Sequence, residues 1–112
     1  MANFIRHSYE NAKAVLTICT GIFPFTRSLG DTGVLSGKHM TATRMFLPHL
    51  RKEFPNISWT EKRWEHDGKL WSSGGVVNGI DMVSAFIKAH YPAEIAAVIR
   101  DVAEVGERSQ EH

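Results

Sequence analysis

The chain has 112 residues, 43% of them hydrophobic and 22% charged, a mixture that fits one folded domain and excludes disorder as the first reading. Thirteen Lys and Arg stand against twelve Asp and Glu, interspersed rather than blocked, so nothing marks a nucleic-acid or membrane partner. No apolar stretch approaches the ~20 residues of a bilayer-spanning helix, and residues 1–9 lack the apolar core of a secretory signal, so the expected location is cytoplasmic. The single cysteine, Cys19, makes no internal disulfide and is either a buried small hydrophobe or a working thiol.

In chain order, residues 3–12 place Phe4, Ile5 and Tyr9 among Arg6, His7 and Glu10, the spacing of a short amphipathic helix. Ala14 to Ile18 is a continuous, β-branched apolar run, which predicts a strand covered on both faces in a parallel sheet. Cys19-Thr20-Gly21 follows at once, with Gly21 expected to give the room for a tight turn into a helix over Ile22 to Ser28; Pro24 fits its first turn. Three glycines make residues 29–38 an irregular connection, after which Met40 to Thr43 predicts a short strand. Arg44 to Phe54 resumes helical spacing through Met45, Leu47, Leu50 and Phe54, with Pro48 early enough to be tolerated.

The Asp67-Gly68 pair predicts a hairpin between aromatic-rich arms, Asn56 to Trp64 and Lys69 to Ser72. Val76 to Tyr91 is then a helix with Ile80, Val83, Phe86 and Ile87 on one apolar face. Pro92 opens a last helix, Ala93 to Val105, whose apolar face is Ile95, Val98, Ile99 and Val102, before a polar tail, Gly106 to His112, expected to fray. No internal repeat or low-complexity linker divides the chain, so residues 1–112 are one domain.

A cysteine at the C-terminal end of a buried parallel strand sits where open α/β sheets bind ligands. Backbone N–H groups at the start of the following helix would face the sulfur, favouring thiolate and offering an oxyanion hole. The other chemistry-bearing residues have simpler readings. His7, His39, His49, His66, His90 and His112 show no metal-ligand spacing and read as solvent-facing, so no metal or cofactor is expected. Trp59, Trp64 and Trp71 read as core, since no basic patch surrounds them. Asn78 and Asp81 read as helix capping and early-helix charge, and Gly74-Gly75 lacks the lysine-serine continuation of a phosphate loop.

Three blocks in order resemble the ThiJ/PfpI superfamily, also called class I glutamine amidotransferase-like. Ala14 to Gly21 is similar to its nucleophile-elbow segment; Gly33 to Lys38, leading into Thr41-Ala42-Thr43, is similar to its Ala-Gly-Leu-Leu-Asp-Gly-Arg and Ala-Thr-Thr stretch. Asp67 to Asp81 resembles its Asp-Gly-x-x-Trp-Thr-Ser-x-Gly-Val-x-x-Gly-Ile-Asp signature. The resemblance spans about residues 4–91, with a C-terminal helix and tail over 92–112, and corresponds to the C-terminal half of such a domain. It implies part of a flavodoxin-like three-layer α/β sandwich with parallel strands, a β-hairpin and C-terminal helices. In the isonitrile hydratase-like branch, it implies, Cys19 attacks the isonitrile carbon of a small substrate and Thr20 beside it contacts substrate or intermediate. Gly21 closes the turn, and Gly74 and Gly75 let the backbone pass close to the elbow. Fungal relatives with a tryptophan-rich hairpin point to secondary metabolism.

The sequence departs from the family in two places. The family's acid belongs to an early strand outside the matched half, and Thr43 stands where other branches carry a histidine, with His39 four residues earlier. A catalytically inactive accessory or interaction protein is therefore the alternative to a hydratase. Without flanking strands Ala14 to Ile18 would show an open edge, which implies a homodimer or a partner chain covering the sheet.

Overall fold

The computed structural model describes residues 2–104 and 108–112. Among these the order is α1 (Ala2–Asn11), β1 (Val15–Ile18), a 3-10 turn (Cys19–Gly21), α2 (Ile22–Leu29), β2 (His39–Met40), a second 3-10 turn (Arg44–Phe46) and α3 (Leu47–Glu53). Then come β3 (Ser58–Trp59), β4 (Trp64–Asp67), β5 (Leu70–Ser73), α4 (Val76–His90) and α5 (Ala93–Ala103). The main sheet has the order β1-β5-β4, with β1 parallel and β4 antiparallel to β5; β2 and β3 form a separate parallel pair.

β5 is the central strand and is buried along its whole length. Its alternation divides the core, because successive side chains leave opposite faces. Leu70 joins Tyr9, Ile22, Phe25 and Leu47 on the face covered by α1 and α2. Trp71 points the other way, onto Trp64 and Met82 under α4. The result is helix, sheet, helix: a mixed α/β sandwich with a parallel strand pair, a hairpin and C-terminal helices, as the resemblance implies. All three tryptophans are buried core residues.

Several local expectations are corrected. Among the described residues β1 is a sheet edge rather than a doubly covered strand: β5 is its one paired neighbour and Ile18 stays 39% exposed. The 40–43 strand shrinks to His39–Met40, because Thr41 turns inward, its N–H donating to Ser72 Oγ at 2.9 Å and its hydroxyl to the Thr60 carbonyl at 2.6 Å. The helix expected from Arg44 starts as a 3-10 turn, with Met45 left exposed. Trp59 belongs to β3, beside β2, and the hairpin's first arm is Trp64–Asp67. Its loop is Gly68-Lys69, one residue later than expected; only Gly68 has positive φ (61°), the pattern of a type II′ turn.

The C-terminal region differs most. In α4 the buried positions are Gly79, Asp81 and Met82, while Ile80 and Val83 are exposed. In α5 only Ala96 is buried, and Ile95, Val98, Ile99 and Val102 face out. The tail is held rather than frayed over 108–112. The Arg63 N–H donates to the Gln110 carbonyl at 2.8 Å, and the Gln110 side-chain amide donates to the Trp64 carbonyl at 2.9 Å. Asn78 and Asp81 are not caps: the N-cap of α4 is Gly75, without a side-chain bond, and buried Asp81 faces the Arg108 guanidinium at 3.4 Å. Val105, expected to end the last helix, and Gly106 lie outside the described residues.

Candidate functional site

The carboxyl ends of the parallel strands β1 and β5 converge, and Cys19 sits directly on the first of them. Its backbone is fixed on both sides. The Cys19 N–H donates to the Gly74 carbonyl at 3.0 Å, just past the end of β5, and the Ile22 N–H closes back on the carbonyls of Cys19 and Thr20. Meeting both constraints puts Cys19 at φ 52°, the left-handed region that costs an L-residue about 1–2 kcal/mol. Gly21 has an ordinary φ of −59° with open space where a Cβ would stand. The unusual backbone conformation therefore falls on the cysteine, correcting the expectation that Gly21 supplies the turn's freedom.

Cys19 is half-buried. Its sulfur accepts a hydrogen bond from the Thr43 hydroxyl at 3.6 Å. Thr43 is carried there by the fully buried Thr41, whose hydroxyl also donates to the Lys62 carbonyl at 3.2 Å. Thr20 and Gly21 are exposed beside the sulfur's residue, in the 3-10 turn that Ile18 caps.

Gly74 is the glycine that makes the close approach. A Cβ there would lie 3.0 Å from the Asn78 amide nitrogen and 3.6 Å from the Ala42 carbonyl, whereas Gly75 has free space. On the other side of β1, α4 reaches the strand through Gly79, where a Cβ would meet Ile18 Cγ2 at 2.7 Å.

The structure thus brings Cys19, Thr43 and Gly74 together. His39 is not among them: its ring nitrogen lies 3.3 Å from the Asp67 carboxylate, which also accepts the His39 backbone N–H at 2.9 Å. That backbone bond, supported by the His39 ring and Lys38, holds the Asp67 carboxyl below the usual aspartate range against a smaller opposing effect of burial. The six histidines are exposed, and among the described residues no three metal-ligating side chains converge. Thr43 as the sulfur's partner was missed from sequence; its place in the Thr-Ala-Thr block, where other branches carry histidine, was the available signal.

The class of protein this defines is an α/β fold with a half-buried thiol on a left-handed elbow at the carboxyl end of parallel strands. The chain belongs to the DJ-1/PfpI family, whose model matches residues 1–89. Among solved structures it is similar to a ThiJ/PfpI family protein from Pseudomonas syringae (TM-score 0.72, 20% identity, 96% of this chain and 42% of that one). It is also similar to DJ-1beta of Drosophila melanogaster (0.67, 20%, 94% and 53%) and to an AraC family transcriptional regulator from Pseudomonas putida (0.72, 14%, 91% and 53%). At these identities the likeness is one of fold, and the chain spans about half the length of the structures it matches. No curated protein is significantly similar in sequence. No helix among the described residues is long and apolar enough to cross a membrane.

Proposed function

We propose that this chain uses Cys19 as a nucleophile toward a small electrophilic carbon, with an isonitrile as the substrate class. The observation that carries the reading is the Cys19 sulfur itself, half-buried on a positive-φ elbow with the Thr43 hydroxyl donating to it. An O–H donor on the sulfur stabilises negative charge there more than it stabilises a neutral thiol. Attack forms a bond between sulfur and the terminal isonitrile carbon, and a proton delivered to that carbon gives a thioimidate. Water then adds, the carbon–sulfur bond breaks, and an N-substituted formamide leaves with the thiol restored. The Thr20 N–H, at the start of the turn, would hold the developing negative charge. A cytoplasmic setting and a role in fungal secondary metabolism belong to the same proposal.

The test is incubation with a simple aliphatic isonitrile, reading formamide by NMR. The reading expects Cys19→Ser to abolish turnover and Thr43→Val to slow it about tenfold, the loss of one hydrogen bond worth about 1.4 kcal/mol. Turnover equal in wild type and Cys19→Ser would overturn it.

A second reading, a non-catalytic accessory protein, is supported by a different observation. Among the described residues the hydrogen bond to the sulfur comes from a threonine, a poor general base, and β1 next to it is an open edge. Specific alkylation of Cys19 without turnover of any isonitrile would favour it.

A further inference from the structure

Two groups hold Cys19 in place, the Thr43 hydroxyl on its sulfur and the Gly74 carbonyl on its N–H. Both lead back to one short loop, residues 60–63. The Gly74 N–H donates to the Arg63 carbonyl at 3.1 Å. On the other arm, Thr41 stands two residues before Thr43 and is fixed at three points. Its N–H donates to Ser72 Oγ at 2.9 Å, and its hydroxyl lies 2.6 Å from the Thr60 carbonyl and 3.2 Å from that of Lys62. The Thr60 N–H returns a bond to the Met40 carbonyl at 2.8 Å. Two of the three points that fix Thr41 are thus carbonyls of this loop, and the loop must itself be held.

Glu65 holds it. The residue is buried on β4, directly opposite Ser72 on β5, so the two side chains leave the same face of the sheet. Both carboxylate oxygens accept. The Thr60 hydroxyl donates to Oε2 at 3.2 Å, with the Lys62 ammonium 3.7 Å from the same oxygen. Oε1 accepts the His66 N–H at 3.1 Å and the Gln110 side-chain amide at 3.4 Å. The two residues whose carbonyls meet the Thr41 hydroxyl are therefore the two whose side chains Glu65 gathers.

We propose that Glu65 is a positioning residue for Cys19: by drawing in Thr60 and Lys62 it fixes Thr41, and Thr41 fixes the Thr43 hydroxyl on the sulfur. Burying a carboxylate on a strand costs free energy that an apolar side chain of similar size does not, so stability alone does not select a glutamate here. Holding the loop does. This role rests on the reading of Cys19 as a working nucleophile, and not on the identity of the substrate. It also requires a carboxylate, because a glutamine of the same shape has one oxygen and one NH2 group. Turned toward His66 and Gln110, that NH2 group would face two donors; turned toward Thr60, it would face the Lys62 ammonium. One set of contacts is lost either way.

The experiment reads the sulfur directly, as the second-order rate of iodoacetamide alkylation of folded protein at pH 7, in a double-mutant cycle with Thr43→Val. Thiolate is the reacting form. Losing the Thr43 donor lowers the thiolate fraction by about fivefold, and the higher nucleophilicity of the less stabilised thiolate recovers part of it, leaving alkylation about two- to threefold slower. Glu65→Gln should slow it by a similar factor. So should Thr60→Val, which cuts the same link without touching the carboxylate and keeps the test decisive if Glu65→Gln fails to fold. In the Thr43→Val background neither substitution should slow the rate further, whereas a merely structural Glu65 would change it by the same factor in both backgrounds. Equal factors in the two backgrounds overturn the proposal. So do single variants that alkylate like wild type, Thr43→Val included. A failed isonitrile assay is read separately: the expected cycle with no formamide formed removes the isonitrile reading and upholds Glu65 in its role.

Discussion

Replacing Cys19 separately by alanine and by glycine measures the strain at the elbow. With φ at 52°, cysteine and alanine both carry the left-handed penalty of about 1–2 kcal/mol, while glycine does not. Glycine loses about 0.5–1 kcal/mol through its more disordered unfolded chain. Either replacement removes the sulfur and its weak bond from Thr43, so that loss cancels when the two variants are compared. The balance favours Cys19→Gly over Cys19→Ala by about 0.5–1 kcal/mol, the reverse of the order expected at a right-handed position. Urea unfolding followed by the fluorescence of the buried tryptophans reads the difference. With a slope of about 1–3 kcal/mol per molar urea, the glycine variant should unfold at a midpoint a few tenths of a molar higher. Alanine equal to or better than glycine would refute a left-handed Cys19 and the elbow built on it.

Other consequences lie further from the sulfur. Gly79→Ala gains about 1 kcal/mol of helix propensity but drives a methyl against Ile18 Cγ2, an overpacking of about 1–3 kcal/mol. Net destabilisation is expected, and Ile18→Ala in the same chain should relieve it, giving a double-mutant coupling of at least 1 kcal/mol by chemical denaturation. Because the Asp67 carboxyl titrates below its ordinary value, its stabilisation is complete above about pH 4 and is lost as pH falls through the depressed folded value. Asp67→Asn should therefore destabilise at pH 7 and be neutral in strong acid, as read by urea midpoints at the two pH values. Deleting residues 108–112 removes the Arg63 and Trp64 bonds to Gln110, the Arg63 side-chain bonds to the Ser109 and Glu111 carbonyls and the Arg108 partner of buried Asp81; at about 1 kcal/mol for a hydrogen bond it should lower stability by more than about 2 kcal/mol, with a red shift in tryptophan emission.

Much of the scaffold was legible because it is local. The apolar run before Cys19 marked the strand, helical spacing marked α1 and α4, and Asp-Gly placed the chain reversal within one residue. What escaped depends on distant partners. Glycine is the usual owner of a strained turn, so Gly21 drew the expectation; it is Gly74, 55 positions away, that pulls the Cys19 N–H into place. Periodicity found the apolar stripes of α4 and α5 but could not say which would be covered, since that depends on what lies beyond β1. Trp59 reads as a hairpin residue until parallel pairing with β2 claims it. The tail is polar and looks unstructured, yet the Gln110 carbonyl takes the Arg63 N–H and its side-chain amide the Trp64 carbonyl at the start of β4. Thr43 reaches the sulfur only through the buried anchoring of Thr41, which no local pattern announces.

The most direct measurement is the rate at which folded protein is alkylated by iodoacetamide, followed by intact mass. An open, reactive elbow predicts a single adduct at Cys19 under native conditions, forming at least as fast as in the urea-unfolded chain and slower in Gly79→Ala, where α4 is pushed against Ile18. A cysteine that stays unmodified until the chain unfolds would contradict the account.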